Sequence, residues 1–284
     1  KSYHKIFFSG IAFNSSHVKK NNIFFAIKGN KFDGNNYIED AIKKGAKIIV
    51  SEKKINLKKN NIIFIKNSNP RKLLSQFSYR NVKKNLKKII AVTGTNGKSS
   101  VADFYFQILN LNDKKTASIG TIGVKQKNNI REISNTTLDP VELSKIINQL
   151  SSKNIKYIVL EASSHGLKQN RLDGLSFDIG IFTNLSQDHL DYHKNFRDYL
   201  LAKLYLFKHL LKKDGCIISD STIPQIKNLK KISKEKKIKL ETVFGKNSEL
   251  ELIDHVYNNE QQIIKVKYKS KLHELKINLI GKVQ

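Results

Sequence analysis

Short apolar blocks alternate with longer stretches in which apolar positions recur every three or four residues, and this alternation predicts an α/β chain. Near the start, Ile23-Phe24-Phe25-Ala26-Ile27 predicts a buried strand, 29–34 a turn-rich loop, 37–44 a helix and 47–50 a second strand. Residues 62–65 predict a third strand, and Pro70 suits the first position of a helix running to about Val82. From Lys88 onward, strands are expected at 89–93, 116–119, 157–160, 179–182, 216–219 and 241–244. Helices are expected between them at 99–111, 140–152, 196–211 and 223–236, an order that argues for a mostly parallel sheet with helices on both faces. From Leu250 to Leu279 the period shortens to two, which adds antiparallel strands. The lysine-rich, apolar-poor stretch from Val82 to Lys88 predicts a boundary, giving domains at 1–87 and 88–284.

Composition narrows the function classes. The longest apolar blocks, such as 62–65 and 157–160, fall far short of the roughly 18–20 residues of a bilayer span, so no membrane insertion is expected. Cys216 is the only cysteine, which excludes an intrachain disulfide and a thiolate zinc cage and fits a reducing compartment, the cytoplasm. The net charge of +28 raises a nucleic-acid partner. Against it, only five of the 52 basic residues are arginine, the residue that phosphate and base readers favour, and the lysines run through every segment. No nucleic-acid partner is expected, and a basic P-loop ATPase that binds nucleic acid stands as the contrasting reading. The chain contains no Met and begins at Lys1, and it is expected to be part of a longer protein without a visible signal or transit peptide.

The strand expected at 89–93 runs into Gly94-Thr95-Asn96-Gly97-Lys98-Ser99-Ser100 and then a helix. Glycines let the backbone wrap an anion, the helix start offers free N–H groups, Lys98 can reach phosphates and Ser99 can ligate Mg2+. The generic phosphate-loop spacing wants a glycine where Val92 stands. The string Thr93 to Lys98 resembles the compressed phosphate loop of the Mur ligase superfamily, whose members form amide bonds with ATP; folylpolyglutamate synthases share much of it.

Glu161 ends an apolar strand, where parallel sheets keep their sites. Its continuation to Arg171, Glu-Ala-Ser-Ser-His-Gly-Leu-Lys-Gln-Asn-Arg, resembles the branch of that superfamily that adds the third residue of the peptidoglycan stem peptide. The resemblance implies Glu161 as a Mg2+ ligand and Ser163, Gln169 and Arg171 as contacts to a UDP-N-acetylmuramoyl dipeptide, with helix capping as the plain role for the serines. It likewise implies substrate contacts for Thr136 and Thr137, ahead of Asp139-Pro140, a cap and first-turn pair. Leu138 stands where the family often has proline. Asn184 resembles the family's nucleotide-side asparagine, and His189 the ligand of a second Mg2+ ion, although imidazole suits hydrogen bonding better than magnesium. Lys203 lies on a helix apolar almost all round; burial favours a neutral amine that reacts with carbon dioxide, and the family's lysine here is carbamylated.

In the first domain, Asn14-Ser15-Ser16, residues 23–29, Asp33-Gly34 and Gly45-Ala46 resemble the family's uridine-nucleotide-binding domain. Ser15 is the implied contact; the usual Asp-Ser-Arg has lost its arginine, and Asn30 and Lys31 stand ready to compensate. The resemblance thus implies a small uridine-nucleotide-binding α/β domain followed by a P-loop-type ATPase domain with a mostly parallel sheet. Lys98, His189 and Lys203 are its catalytic residues, 94–100 and Asn184 its ATP contacts, and Ser99, Glu161, His189 and carbamylated Lys203 its metal set. ATP and Mg2+ are the cofactors, the precursor dipeptide and a diamino acid, diaminopimelate or lysine, the partners, and a monomer the expected state. The family's third domain, which selects the amino acid, is expected beyond Gln284, so these 284 residues alone are expected to lack turnover.

Overall fold

The structure, a computed structural model, describes residues 7–29, 32–55, 61–82, 85–127, 129–188, 192–257 and 261–278. It divides into two compact units: Lys1–Asn85 with Leu138–Asn154 and Gly166–Leu175, and Leu86–Thr137 with Ile155–His165 and Ser176–Gln284. Two segments from beyond residue 87 therefore group with the first unit.

The first unit holds a four-stranded parallel sheet in the order β1 (Gly10–Ala12), β2 (Asn22–Ala26), β3 (Ala46–Ser51), β4 (Ile63–Lys66). Alternate residues of β2 face opposite ways, as the pleat requires. Phe24 and Ala26 pack with Ile38 and Ala41 of α1 (Ile38–Lys43), while Ile23 and Phe25 pack with Leu74 of α2 (Pro70–Tyr79). Both strand faces are thus buried, which is why this strand reads as a continuous apolar run. Pro70 opens α2 after Asn69, whose side chain caps Lys72 N at 2.9 Å. Helix α4 (Pro140–Ser152) begins the same way, with Asp139 accepting from the N–H groups of Val141 and Glu142.

The second unit is an eleven-stranded sheet. Within it, β5 (Lys88–Thr93) is paired in parallel with β9 (Tyr157–Glu161) on one side and β10 (Phe177–Phe182) on the other. Helix α3 (Lys98–Leu111) leaves β5 and leads to β6 (Thr116–Gly120), which lies beyond β9, so the strand order reverses at β5. Ligand sites of open parallel sheets form at such a switch point, outside the carboxyl ends of the strands. Ile90, Val92, Val159, Ala102 and Phe106 form the core under α3. Beyond β10 run β11 (Leu211–Asp220) and β12 (Lys239–Phe244) in parallel, and then β13 (Leu250–Tyr257), β14 (Gln262–Tyr268) and β15 (Lys271–Ile277), whose mutual pairings are antiparallel as the period-two pattern predicts.

Three details depart from the expectations. The strand β1, a small antiparallel addition of β7 (Gly123–Gln126) and β8 (Asn129–Arg131), and the short helix α5 (Ser164–Lys168) have no forecast in the pattern. The helix expected over 196–211 is α6 (Phe196–Tyr205) followed by one wider turn at Leu206–Leu210 that delivers the chain to β11. The helix expected over 223–236 starts later, as α7 (Ile226–Lys236). No described helix is long and apolar enough to cross a membrane.

Candidate functional site

The carboxyl ends of β5, β9 and β10 gather the glycine loop of 94–98 and its partners in the second unit. Gly94 passes so close to β10 that a β-carbon there would collide with the Thr183 hydroxyl, and Gly97 takes the left-handed conformation (φ +78°) that turns the loop into α3. The loop is pinned from β10's extension: Asn184 accepts from Asn96 N through Oδ1 at 2.9 Å, its carbonyl accepts from Thr95 N at 3.0 Å, and Thr183 Oγ1 donates to Asn96 O at 2.6 Å. Thr95 turns inward, its hydroxyl 3.2 Å from Tyr199 OH and accepting from Ser186 N at 3.0 Å.

Two lysines converge on the loop. Lys98 Nζ donates to Gly94 O at 3.0 Å and Thr95 O at 2.7 Å, and Lys203 Nζ donates to the same Gly94 O at 2.6 Å. Lys203 is 1% exposed on α6 with its ammonium 4.3 Å from the centre of the Tyr199 ring. Burial, and then the neighbouring Lys98 charge, lower its pKa to about 7. Burial also lowers the Lys98 pKa, opposed by Glu161 and Asp188.

Glu161, 2% exposed, is the hub. Ser99 Oγ donates to its Oε2 at 2.9 Å; Thr121 donates to Oε1 through its N–H at 2.8 Å and to Oε2 through its hydroxyl at 3.1 Å. Gly120 is glycine for the same reason, since a β-carbon there would collide with the Glu161 carboxylate. Thr121 Oγ1 also lies 3.1 Å from Thr136 Oγ1. Thr137 Oγ1 donates to the Glu161 carbonyl at 2.9 Å and accepts from Ser163 N at 2.9 Å, so one strand end carries both the carboxylate beside the loop and the backbone that holds Thr137 and Ser163. Ser99 and Glu161 offer hard oxygen donors, which suit Mg2+. No group of three His, Cys, Asp or Glu side chains able to hold a metal occurs among the described residues, and His189 lies outside them. Ser100 sits exposed in the first turn of α3.

The remaining sequence candidates fall in the first unit. Ser15 and Gln169 line a cavity of about 570 Å3 together with Phe13, Phe32, Tyr37 and Arg71. Gln169 Oε1 accepts from Arg171 Nε at 3.0 Å and Nη2 at 2.8 Å, and Arg171 O accepts from Tyr79 OH at 2.8 Å. Lys44, 2.8 Å from Asp40, and then the Ser15 hydroxyl hold the Asp40 carboxyl below its usual range. Asn30 and Lys31 lie outside the described residues. Thr121, Thr183, Tyr199 and Arg71 had no forecast; each is brought in by a partner distant in the sequence or by the cavity.

The Mur ligase middle domain matches residues 92–284, and the Mur ligase family catalytic domain matches residues 8–91. The UDP-N-acetylmuramoyl-L-alanyl-D-glutamate--2,6-diaminopimelate ligase of Rickettsia montanensis is 40% identical over 287 residues, covering 99% of this chain and 58% of that protein. The chain thus spans under two thirds of the length of such relatives. A solved structure of a ligase of the same name superposes with a TM-score of 0.84 at 26% identity, covering 96% of this chain and 56% of that one. MurF ligase from Thermotoga maritima in complex with ADP gives a TM-score of 0.60 at 19% identity over 96% of this chain and 59% of that one, a likeness of fold. The phosphate loop, the Glu161 hub and both domain matches lead to one statement: the chain belongs to the Mur ligase family.

Proposed function

We propose that these residues form the two nucleotide-binding parts of a MurE-type ligase, which joins a diamino acid to UDP-N-acetylmuramoyl-L-alanyl-D-glutamate at the cost of ATP in the cytoplasm. The observation that carries this reading is the double engagement of Glu161: its carboxylate meets Ser99 of the phosphate loop, and its carbonyl anchors Thr137 beside Ser163. A nucleotide loop and an acceptor-binding segment hung on one residue suit a reaction in which the acceptor carboxylate attacks the γ-phosphorus. ADP leaves, the amine attacks the acyl phosphate carbon, and phosphate leaves.

In this reading the N–H groups of 94–100 cradle the ATP phosphates, and Lys98 swings from its carbonyl partners to the β- and γ-phosphates. Thr183 and Asn184 keep the loop in shape. Mg2+ held by Ser99 and Glu161, and a second Mg2+ held by His189 and carbamylated Lys203, would supply charge neutralisation at the transferring phosphoryl group. Positioning and neutralisation are most of what phosphoryl transfer asks of a protein. The first-unit cavity takes the uridine nucleotide end of the precursor, with Ser15 at its wall and Gln169 held in place by Arg171. The expected cut at 87/88 divides the two roles except for 138–154 and 166–175, which group with the first unit and bring Gln169 to its cavity.

The relatives' name points to diaminopimelate as the diamino acid. The test is ADP release by the protein encoded by the complete gene. It should require the precursor dipeptide and a diamino acid together, and should yield a tripeptide precursor by mass. ADP release that ignores the dipeptide, or that follows a pteroyl glutamate acceptor or nucleic acid instead, would overturn the reading.

A further inference from the structure

We propose that Arg71 is the cationic contact for the diphosphate of the uridine nucleotide, a proposal that rests on the reading of the first-unit cavity given above. Among the described residues that line this cavity, Arg71 is the one cationic side chain, and none is a carboxylate. Three aromatic rings, Phe13, Phe32 and Tyr37, line it while keeping 37%, 70% and 41% of their surface exposed. Exposed rings beside one guanidinium make a site for a planar base carrying an anionic tail.

The other polar groups of the wall are neutral and already engaged in holding the chain. Asn14 Oδ1 accepts from Ser16 N at 3.0 Å and Ser16 Oγ at 2.9 Å, and Gln169 Oε1 accepts from Arg171. The nearby Asp33 carboxylate caps its own turn, accepting from Asn35 N at 2.9 Å, and takes no place in the wall. Arg71 comes from the first turn of α2, and its Nη2 donates to Lys28 O at 2.7 Å, next to Gly29 of the wall. That bond fixes the planar fork at the cavity, and a fixed fork binds phosphate oxygens in pairs with little loss of side-chain freedom.

Calorimetric titration of UDP and of uridine into the wild-type chain, Arg71→Met and Arg71→Lys separates the possibilities. Arg71→Met should weaken UDP binding tenfold or more while uridine affinity stays within about twofold, and Arg71→Lys should fall between the two for UDP. Unchanged uridine binding reports that the aromatic wall survives the substitution. UDP binding by Arg71→Met as tight as wild type would overturn the role of Arg71 and leave the cavity assignment standing. A loss of UDP and uridine binding in equal proportion would also overturn it, since the residue would then be holding the wall. Failure of the wild-type chain to bind either compound would overturn the cavity assignment and the Arg71 proposal with it.

Discussion

Ser99, the residue after the loop lysine, donates its hydroxyl to Glu161 Oε2 at 2.9 Å across 62 residues of sequence. The bond joins the start of α3 to the end of β9. Replacing either oxygen donor should therefore have one consequence. Ser99→Ala and Glu161→Gln should each weaken magnesium-dependent ATP binding by tenfold or more while leaving weak metal-free nucleotide binding in place. Titration with and without Mg2+ checks this.

Gly120 gives that carboxylate its room. Gly120→Ala places a methyl group against Glu161, which must move or be compressed, and overpacking of this kind costs about 1–3 kcal/mol. Denaturant unfolding should show that loss, together with the nucleotide defect of Glu161→Gln. Full stability with intact binding would mean that Glu161 has slack the structure does not suggest.

The Thr137 hydroxyl is buried between the Glu161 carbonyl and Ser163 N–H. Thr137→Val keeps the shape and strands both partners, so it should destabilise the chain by about 1–3 kcal/mol. Thr137→Ser should restore most of that loss, as read by the same unfolding curves.

The amine of Lys203 titrates near pH 7 in the folded chain, against an ordinary value of 10.5. Between those pH values the unfolded chain holds a proton that the folded chain has released, so this group makes stability rise with pH across that window and adds no slope below it. One group contributes at most about 1.4 kcal/mol per pH unit. In bicarbonate-free, metal-free buffer, the stability advantage of Lys203→Met over wild type should therefore shrink as pH rises from about 7.5 to about 9, inside that window. A gap independent of pH would mean that Lys203 titrates normally. With bicarbonate present, the neutral amine should add carbon dioxide, and intact mass should rise by one carboxyl group in the wild type and not in Lys203→Met.

Much of the fold was legible because its signals are local. The run 89–93, the glycines, Lys98 and the helical period after it sit within two dozen residues, and Asp139-Pro140 and Pro70 announce helix starts from neighbouring positions alone. The strands β1 and β8 are three residues long, too short for any period to register. The end of α6 was illegible for another reason. Leu206, Phe207 and Leu210 are buried in the wider turn and would be buried in a continuing helix as well, so their apolar character does not distinguish the two.

The candidate site divides in the same way. Lys98 and Ser99 stand out in the sequence because a strand, a glycine loop and a helix start flank them, whereas Glu161 and Lys203 are picked through the family resemblance of the strings around them. Thr121 and Thr183 could not, since their partners Glu161 and Asn96 lie 40 and 87 residues away and a lone threonine after a strand carries no signal. Arg71 was hidden by its helix, where an arginine in the first turn reads as a surface charge.

Ligand preference tests the central reading most directly. The chain should be titrated with UDP-N-acetylmuramoyl-L-alanyl-D-glutamate, with a pteroyl glutamate acceptor and with a short single-stranded RNA, at one fixed ionic strength. The account predicts saturable binding of the uridine precursor, weakened in Arg71→Met and insensitive to competing RNA, and no saturable binding of the pteroyl compound. Preference for the pteroyl acceptor, or RNA binding that displaces the precursor, would contradict it.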